Sequence, residues 1–264
     1  MNVSAKTKND LYLVSGNICA FTDCNQVFKT SNKEHIAEIA HISGQKEGSA
    51  RYDPDMTDFA RNHFDNLIVV CPTCHTEIDK NGSKYSISDL KEMKKNRETQ
   101  VRTKFLKKNP NYLEKILQWL IKNNDFQDYK ETKTANNFSI EKKIKFNKVK
   151  RYRYILDEYK IHRTKLQKFY DELENEKTCE QEVFLNSVRL LYLEAKGELL
   201  PENATEQDIQ KMADDLIDKT LKLLEKKIQN KQLSEQAIFY GLRVILVDAF
   251  MRCKILEEPK TDDN

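Results

Sequence analysis

Residues 66–79 read N-L-I-V-V-C-P-T-C-H-T-E-I-D. Leu67–Val70 is a short, β-branched apolar run, and Cys74–Asp79 opens a helix. Asn66, Cys71, Cys74, His75 and Asp79 therefore crowd one strand-to-helix turn. Whether they serve one metal or two decides what the front of the chain is.

The cysteines separate the two cases. Cys19 and Cys24 form C-x4-C and Cys71 and Cys74 form C-x2-C, with a loop-rich segment between. Two knuckles of this spacing predict a closed, four-thiolate structural zinc site that staples a small core. Four thiolates fill that shell, so His75 is left over. Asp79 lies four residues on, on the same helix face. An N and an O donor with room for water and phosphate suit an open site for Mg²⁺, Mn²⁺ or another divalent ion. His41, in E-I-A-H-I, is the candidate general base near neutral pH. The Asn66 amide is placed to pin a backbone loop and so orient that histidine. Cys179 and Cys253 stand alone on helices and read as small buried thiols.

Working outward, the 264 residues suit one large or two ordinary domains. Six glycines, five prolines and 33% charged residues favour helices. No apolar run reaches membrane-spanning length and no signal peptide opens the chain, so a cytoplasmic protein is expected, with reduced cysteines. Charge is uneven. Residues 1–108 hold 17 Lys+Arg against 14 Asp+Glu, residues 109–160 hold 12 against 7, and residues 161–264 hold 16 against 21. A basic front permits phosphate contact and an acidic rear permits another partner; solvated helix faces explain the same numbers.

Residues 1–108 form the first expected domain. A helix spans about Ala5–Val14, ended by Gly16, and Glu34–Ile42 is ambiguous between helix and strand. Ser88 is the expected cap of a basic helix reaching Lys107. Asn109-Pro110-Asn111 marks a boundary. Residues 109–138 read as a helix (Tyr112–Lys122) and a linker. Residues 139–264 read as an α-helical domain. It holds one long helix over 140–175, helices over 180–199 and from a Thr205 cap, and a last one over Glu235–Leu256 that is apolar nearly all round.

The segment from Thr7 to Glu98 resembles an HNH endonuclease domain. The pieces that carry the likeness are S-G-N-I-C-A-F-T-D-C, E-I-A-H-I, D-N-L-I-V-V-C-P-T-C-H-T-E-I-D and Y-S-I-S-D-L-K-E-M-K, in that order. The resemblance implies an α+β architecture: a small zinc-stapled ββα-metal nuclease domain followed by a mostly α-helical C-terminal domain. It implies His41 as base, Asn66 as its positioner and His75 as ligand of a catalytic divalent ion, with Asp79 where many members carry a second helix ligand. Ala40 stands where many members have an Asp or His ligand, although subgroups with Ala-His-Ile exist. Glu38, two residues earlier, is then a compensating ligand or a group that orients an arginine. Arg51 is a phosphate-clamp candidate, and Lys91, Lys94, Lys95, Arg97, Arg102 and Lys104 are candidates for sequence-independent DNA contacts.

The rear segment K-I-K-F-N-K-V-K-R-Y-R-Y-I-L-D-E-Y, with the helix ending F-Y-D-E-L-E, resembles the C-terminal domain of effectors in bacterial ABC three-component, Lamassu-like antiphage defence systems. That likeness implies docking onto an SMC-like ATPase and a middle subunit, restraint of a DNA nuclease until activation, and homo-oligomerisation on activation. Lys145, Asn147 and Lys148 are docking or phosphate-facing candidates. Two other readings stay open: a non-catalytic zinc-stapled DNA-binding or scaffolding module, and a stand-alone restriction-like endonuclease.

Overall fold

Short β-branched runs, polar caps and amphipathic stripes divide the chain into elements that gather in two compact units, Met1–Pro110 and Asn111–Asn264. The computed structural model describes residues 3–28, 36–123, 139–153, 155–156, 162–175, 181–228 and 233–259. Most of the expected linker, residues 124–138, lies outside the described residues.

In the first unit α1 (Ala5–Ser15) is capped by the Ser4 side chain, which accepts from the Thr7 amide. It stops at Gly16, whose φ of 63° is the left-handed turn that glycine adopts without penalty. A Cβ at Gly16 would lie 2.8 Å from Val101, so the turn also needs a missing side chain. β1 (Glu38–His41) and β2 (Leu67–Val70) form an antiparallel pair, with Glu38 opposite Val70 and His41 opposite Leu67. Of the segment open to either helix or strand, Glu38–His41 is a strand. α2 (Asp58–Arg61) and a 3-10 turn (Phe64–Asn66) lie between the strands. α3 (Pro72–Lys80) follows β2 directly, with Pro72 in its first turn, where a missing N–H costs nothing.

All four residues of β2 are buried, because α1 and α4 (Ile87–Lys108) pack against this strand while α3 packs against β1. A strand buried on both faces reads as an unbroken apolar run, as Leu67–Val70 does. The start of α4 differs from expectation. Its cap is Ser86, in a capping box with Asp89, and Ser88 sits inside the first turn. The Asp89 carboxylate accepts from the Ser86 amide while the Ser86 hydroxyl accepts from the Asp89 amide, a reciprocal pair for which Ser88 has only Lys91 at the matching position.

The second unit holds α5 (Tyr112–Asn123), α6 (Ile140–Phe146), α7 (Arg163–Asn175), α8 (Gln181–Leu199), α9 (Glu206–Lys211), α10 (Ala213–Lys226) and α11 (Glu235–Met251). α11 is buried on almost every side and is the centre of this unit. Gly241 on α11 lets α5 approach closely, since a Cβ there would meet Ile116 at 2.9 Å. α10 turns Leu216, Ile217, Leu221 and Leu224 inward, and α8 is its main neighbour.

The expected continuous helix over 140–175 is corrected by the structure. α6 ends at Phe146, and residues 147–152 form a turn. Asp214 accepts from the amides of Lys150 and Tyr152 at 3.0 and 3.1 Å, and Asp218 accepts from the Tyr152 hydroxyl at 2.6 Å. Amides bound by side chains cannot also serve a helix ladder, so the helix stops there. The last helix likewise ends at Met251, short of Leu256, because Cys253 and Leu256 adopt positive φ angles.

Candidate functional site

The cysteines come together. The Sγ atoms of Cys19, Cys24, Cys71 and Cys74 all lie within 4.8 Å of one another, and all four are free thiols. The Cys24 and Cys71 sulfurs are 4.0 Å apart. A tetrahedron of sulfurs about 2.3 Å from one ion spaces them about 3.8 Å apart, so this donor set fits zinc. Local chemistry supports the fit. The Cys71 amide donates to the Cys19 sulfur at 3.3 Å, and the Ala20 amide ties the knuckle to β2 through the Val69 carbonyl at 3.0 Å. Burial pushes the Cys19 thiol up to about 11 and the Cys74 thiol higher still. A bound divalent ion reverses that balance and deprotonates its thiol ligands.

His41 closes β1 and is half buried. Burial holds its pKa below the usual 6.5, against the opposing pull of its hydrogen bond to Asn62. It is therefore a neutral imidazole at pH 7. Its Nε2 faces the Asn62 Oδ1 at 3.4 Å, and Nδ1 has no hydrogen-bond partner among the described residues. Asn62 ends α2, and its own Nδ2 donates to the Asp58 carbonyl at 3.0 Å. No spacing rule connects Asn62 to His41, and the sequence reading leaves it out.

Asn66 is almost fully buried. Its Oδ1 accepts from the Ser43 amide at 2.8 Å, and its Nδ2 donates to the Ser43 and Arg61 carbonyls at 3.0 and 2.9 Å. The Asn66 carbonyl also receives the Ile42 amide at 2.8 Å. The amide thus holds the backbone just beyond His41 and the end of α2 in one place.

His75 lies on the first turns of α3 between two acids. Its Nδ1 is 2.6 Å from Glu38 Oε2, and its Nε2 is 3.4 Å from Asp79 Oδ2. A carboxylate on the rear nitrogen orients a metal-binding imidazole and raises its basicity. Nitrogen and oxygen donors about 2.1 Å from one ion stand about 3 Å apart at right angles, so Nε2 and Asp79 fit a shared divalent ion. Asp79 is more than half exposed, which leaves that side open to solvent. The expectation that Glu38 orients an arginine is corrected: its partner among the described residues is His75. Ala40 is fully buried opposite Ile68 and supplies packing, not a donor.

The basic candidates divide. The Arg51 side chain is only 6% exposed. Its Nε donates to the Ile42 carbonyl at 2.9 Å, and one terminal nitrogen donates to Ile78 at 3.1 Å and Tyr85 at 3.4 Å. The other terminal nitrogen is 3.8 Å from Asp79. This arginine bolts β1, α3 and the start of α4 together, and its fork is committed before any phosphate arrives. Its positive φ of 60° is held by those bonds. Lys94 is buried over the Phe64 ring and paired with Glu98 at 2.7 Å. Arg97 reaches the Cys24 carbonyl at 3.4 Å. Lys91, Lys95 and Lys104 are exposed on α4.

In the second unit Asn147 is fully buried, so it is no surface candidate. Its Nδ2 donates to the Lys143 and Glu257 carbonyls at 3.0 and 2.8 Å, and its Oδ1 accepts from the Glu257 amide at 3.0 Å. Lys145 and Lys148 are exposed.

Residues 111–257, more than half the chain, match C-terminal domain 10 of the ABC-three component (ABC-3C) systems. The chain belongs to that family and so to a multi-component system. A comparison with curated proteins finds no match. No helix among the described residues is long and apolar enough to cross a membrane.

Proposed function

We propose that this chain is a metal-dependent HNH endonuclease, the DNA-cleaving effector of an ABC-3C antiphage defence complex. One observation carries the reading: His41 closes β1, Asn66 leads into the paired β2, and His75 and Asp79 lie together on α3, which packs against β1 beside four clustered cysteines. Cys19, Cys24, Cys71 and Cys74 would hold a zinc ion that staples the knuckles to β2 and to the start of α3, and so would fix where His75 begins.

His41 takes a proton from water, whose oxygen attacks phosphorus as the bond to the leaving 3′ oxygen breaks. That oxygen takes a proton from solvent, which balances the hydrolysis. His75 and Asp79 would hold Mg²⁺ or Mn²⁺, and Glu38 keeps the His75 ring turned. A divalent ion there supplies positive charge to the crowded phosphorus and to the departing oxygen. Lys91 and Lys95 provide sequence-independent attraction to the backbone. The helical unit docks onto an SMC-like ATPase and a middle subunit, which restrain the nuclease.

A plasmid-cleavage assay on the complex with Mg²⁺ or Mn²⁺ tests this. Wild type is expected to nick DNA, and His41→Ala to lose roughly 10²–10⁴-fold in rate. Equal nicking by both, or none by either once the complex is activated, overturns the catalytic reading. Ala40 favours the second reading, a zinc-stapled DNA-binding or scaffolding module, because it removes one donor from the ion site.

A further inference from the structure

We infer that Asn62 is a positioning residue that fixes the tautomer of His41, placing the proton on Nε2 and leaving Nδ1 as the nitrogen that receives a proton from water. The inference rests on the nuclease reading for its purpose, but its structural content stands apart from activity.

The Asn62 side-chain amide has one acceptor end and one donor end. The donor end is taken: Nδ2 bonds the Asp58 carbonyl one helical turn back, at 3.0 Å. That contact turns Oδ1 toward His41, 3.4 Å from Nε2. An oxygen only accepts, so the imidazole nitrogen facing it carries the hydrogen. In a neutral ring the other nitrogen is then the lone-pair nitrogen. Nδ1 has no hydrogen-bond partner among the described residues, as a nitrogen that meets water should. The 3.4 Å separation is long, and such contacts tighten when substrate is bound.

Two further features hold the geometry. His41 is anchored by ladder pairing with Leu67, and the next residues are tied by Asn66 through Ser43. The Asn66 amide also takes the Arg61 carbonyl, directly before Asn62. The base and its positioner are thus braced by the same buried amide. When Nδ1 gains a proton, the imidazolium keeps its Nε2–H on Asn62, so the ring need not turn during the reaction.

The test is ¹⁵N NMR of the histidine rings in the full-length protein above pH 7, without DNA, with His41→Ala assigning the signal. Wild type is expected to show His41 protonated at Nε2. Asn62→Leu is expected to lose that bias and to slow cleavage roughly 10–100-fold with little change in KM. Asn62→Asp keeps the acceptor oxygen, so it should restore the Nε2–H signal and raise the His41 pKa. A wild-type His41 protonated at Nδ1 overturns the inference whatever the variants do. So does an Asn62→Leu spectrum identical to wild type. A wild type that stays inactive in the activated complex, with His41 in the Nε2–H form, would sink the nuclease reading and leave the tautomer assignment standing.

Discussion

Asn66 shows how much one amide can organise. Its three side-chain bonds satisfy Ser43 on both sides and the Arg61 carbonyl. Asn66→Ala leaves those buried groups without partners and is expected to cost about 2–4 kcal/mol, read by urea unfolding. His41 carries a pH signature. Burial holds its pKa below 6.5, so it stays neutral at pH 7 and is protonated only as pH falls through that lowered value. On the proposed nuclease reading, the acid limb of kcat/KM is therefore expected below pH 6.5. Its contribution to stability has the same sign, present above 6.5 and lost as pH falls. An acid limb at or above 6.5 would show that a different group sets the profile.

At the scale of elements, spacing carried most of the information. The cysteine pairs, the four-residue apolar run of β2 and the i, i+4 relation of His75 and Asp79 all rest on local periods that sequence displays directly. What sequence hid was long-range hydrogen bonding. Arg51 read as a phosphate-clamp candidate because its three carbonyl partners lie 9 to 34 residues away. Asn62 was invisible for the same reason, being 21 residues from His41. The break after α6 depends on carboxylates of α10 more than 60 residues on. The staple itself gives a prediction. Cys74→Ser removes a thiolate shared by the start of α3, so bound zinc should fall, read by metal analysis. The melting transition of the first unit should drop to that of chelator-treated wild type. A wild type that binds no zinc tightly would refute the staple.

At the scale of the whole molecule, the second unit is closed by a buried lysine. Lys143 donates from Nζ to the Phe250 and Ile255 carbonyls at 2.7 and 2.9 Å and sits over the Phe250 ring. Burial lowers its pKa from 10.5 to about 8. Between those values the unfolded chain holds a proton that the folded one has shed, so stability of this unit rises with pH across that window. Lys143→Met should flatten the rise when wild type and variant are compared by urea unfolding from pH 8 to 10. A parallel pair of curves would assign the effect elsewhere.

The same closure sets an order of events during synthesis. Lys143 and Asn147 find their partners only when residues 250–257 have left the ribosome, whereas the contacts of the first unit are complete once Pro110 is free. At roughly 5–20 residues per second, the intervening stretch takes about seven to thirty seconds to make. For that interval each nascent chain carries a finished front unit and an unclosed rear one. If the front unit is the proposed nuclease, a cell must therefore restrain it by something other than the finished rear unit while translation is under way.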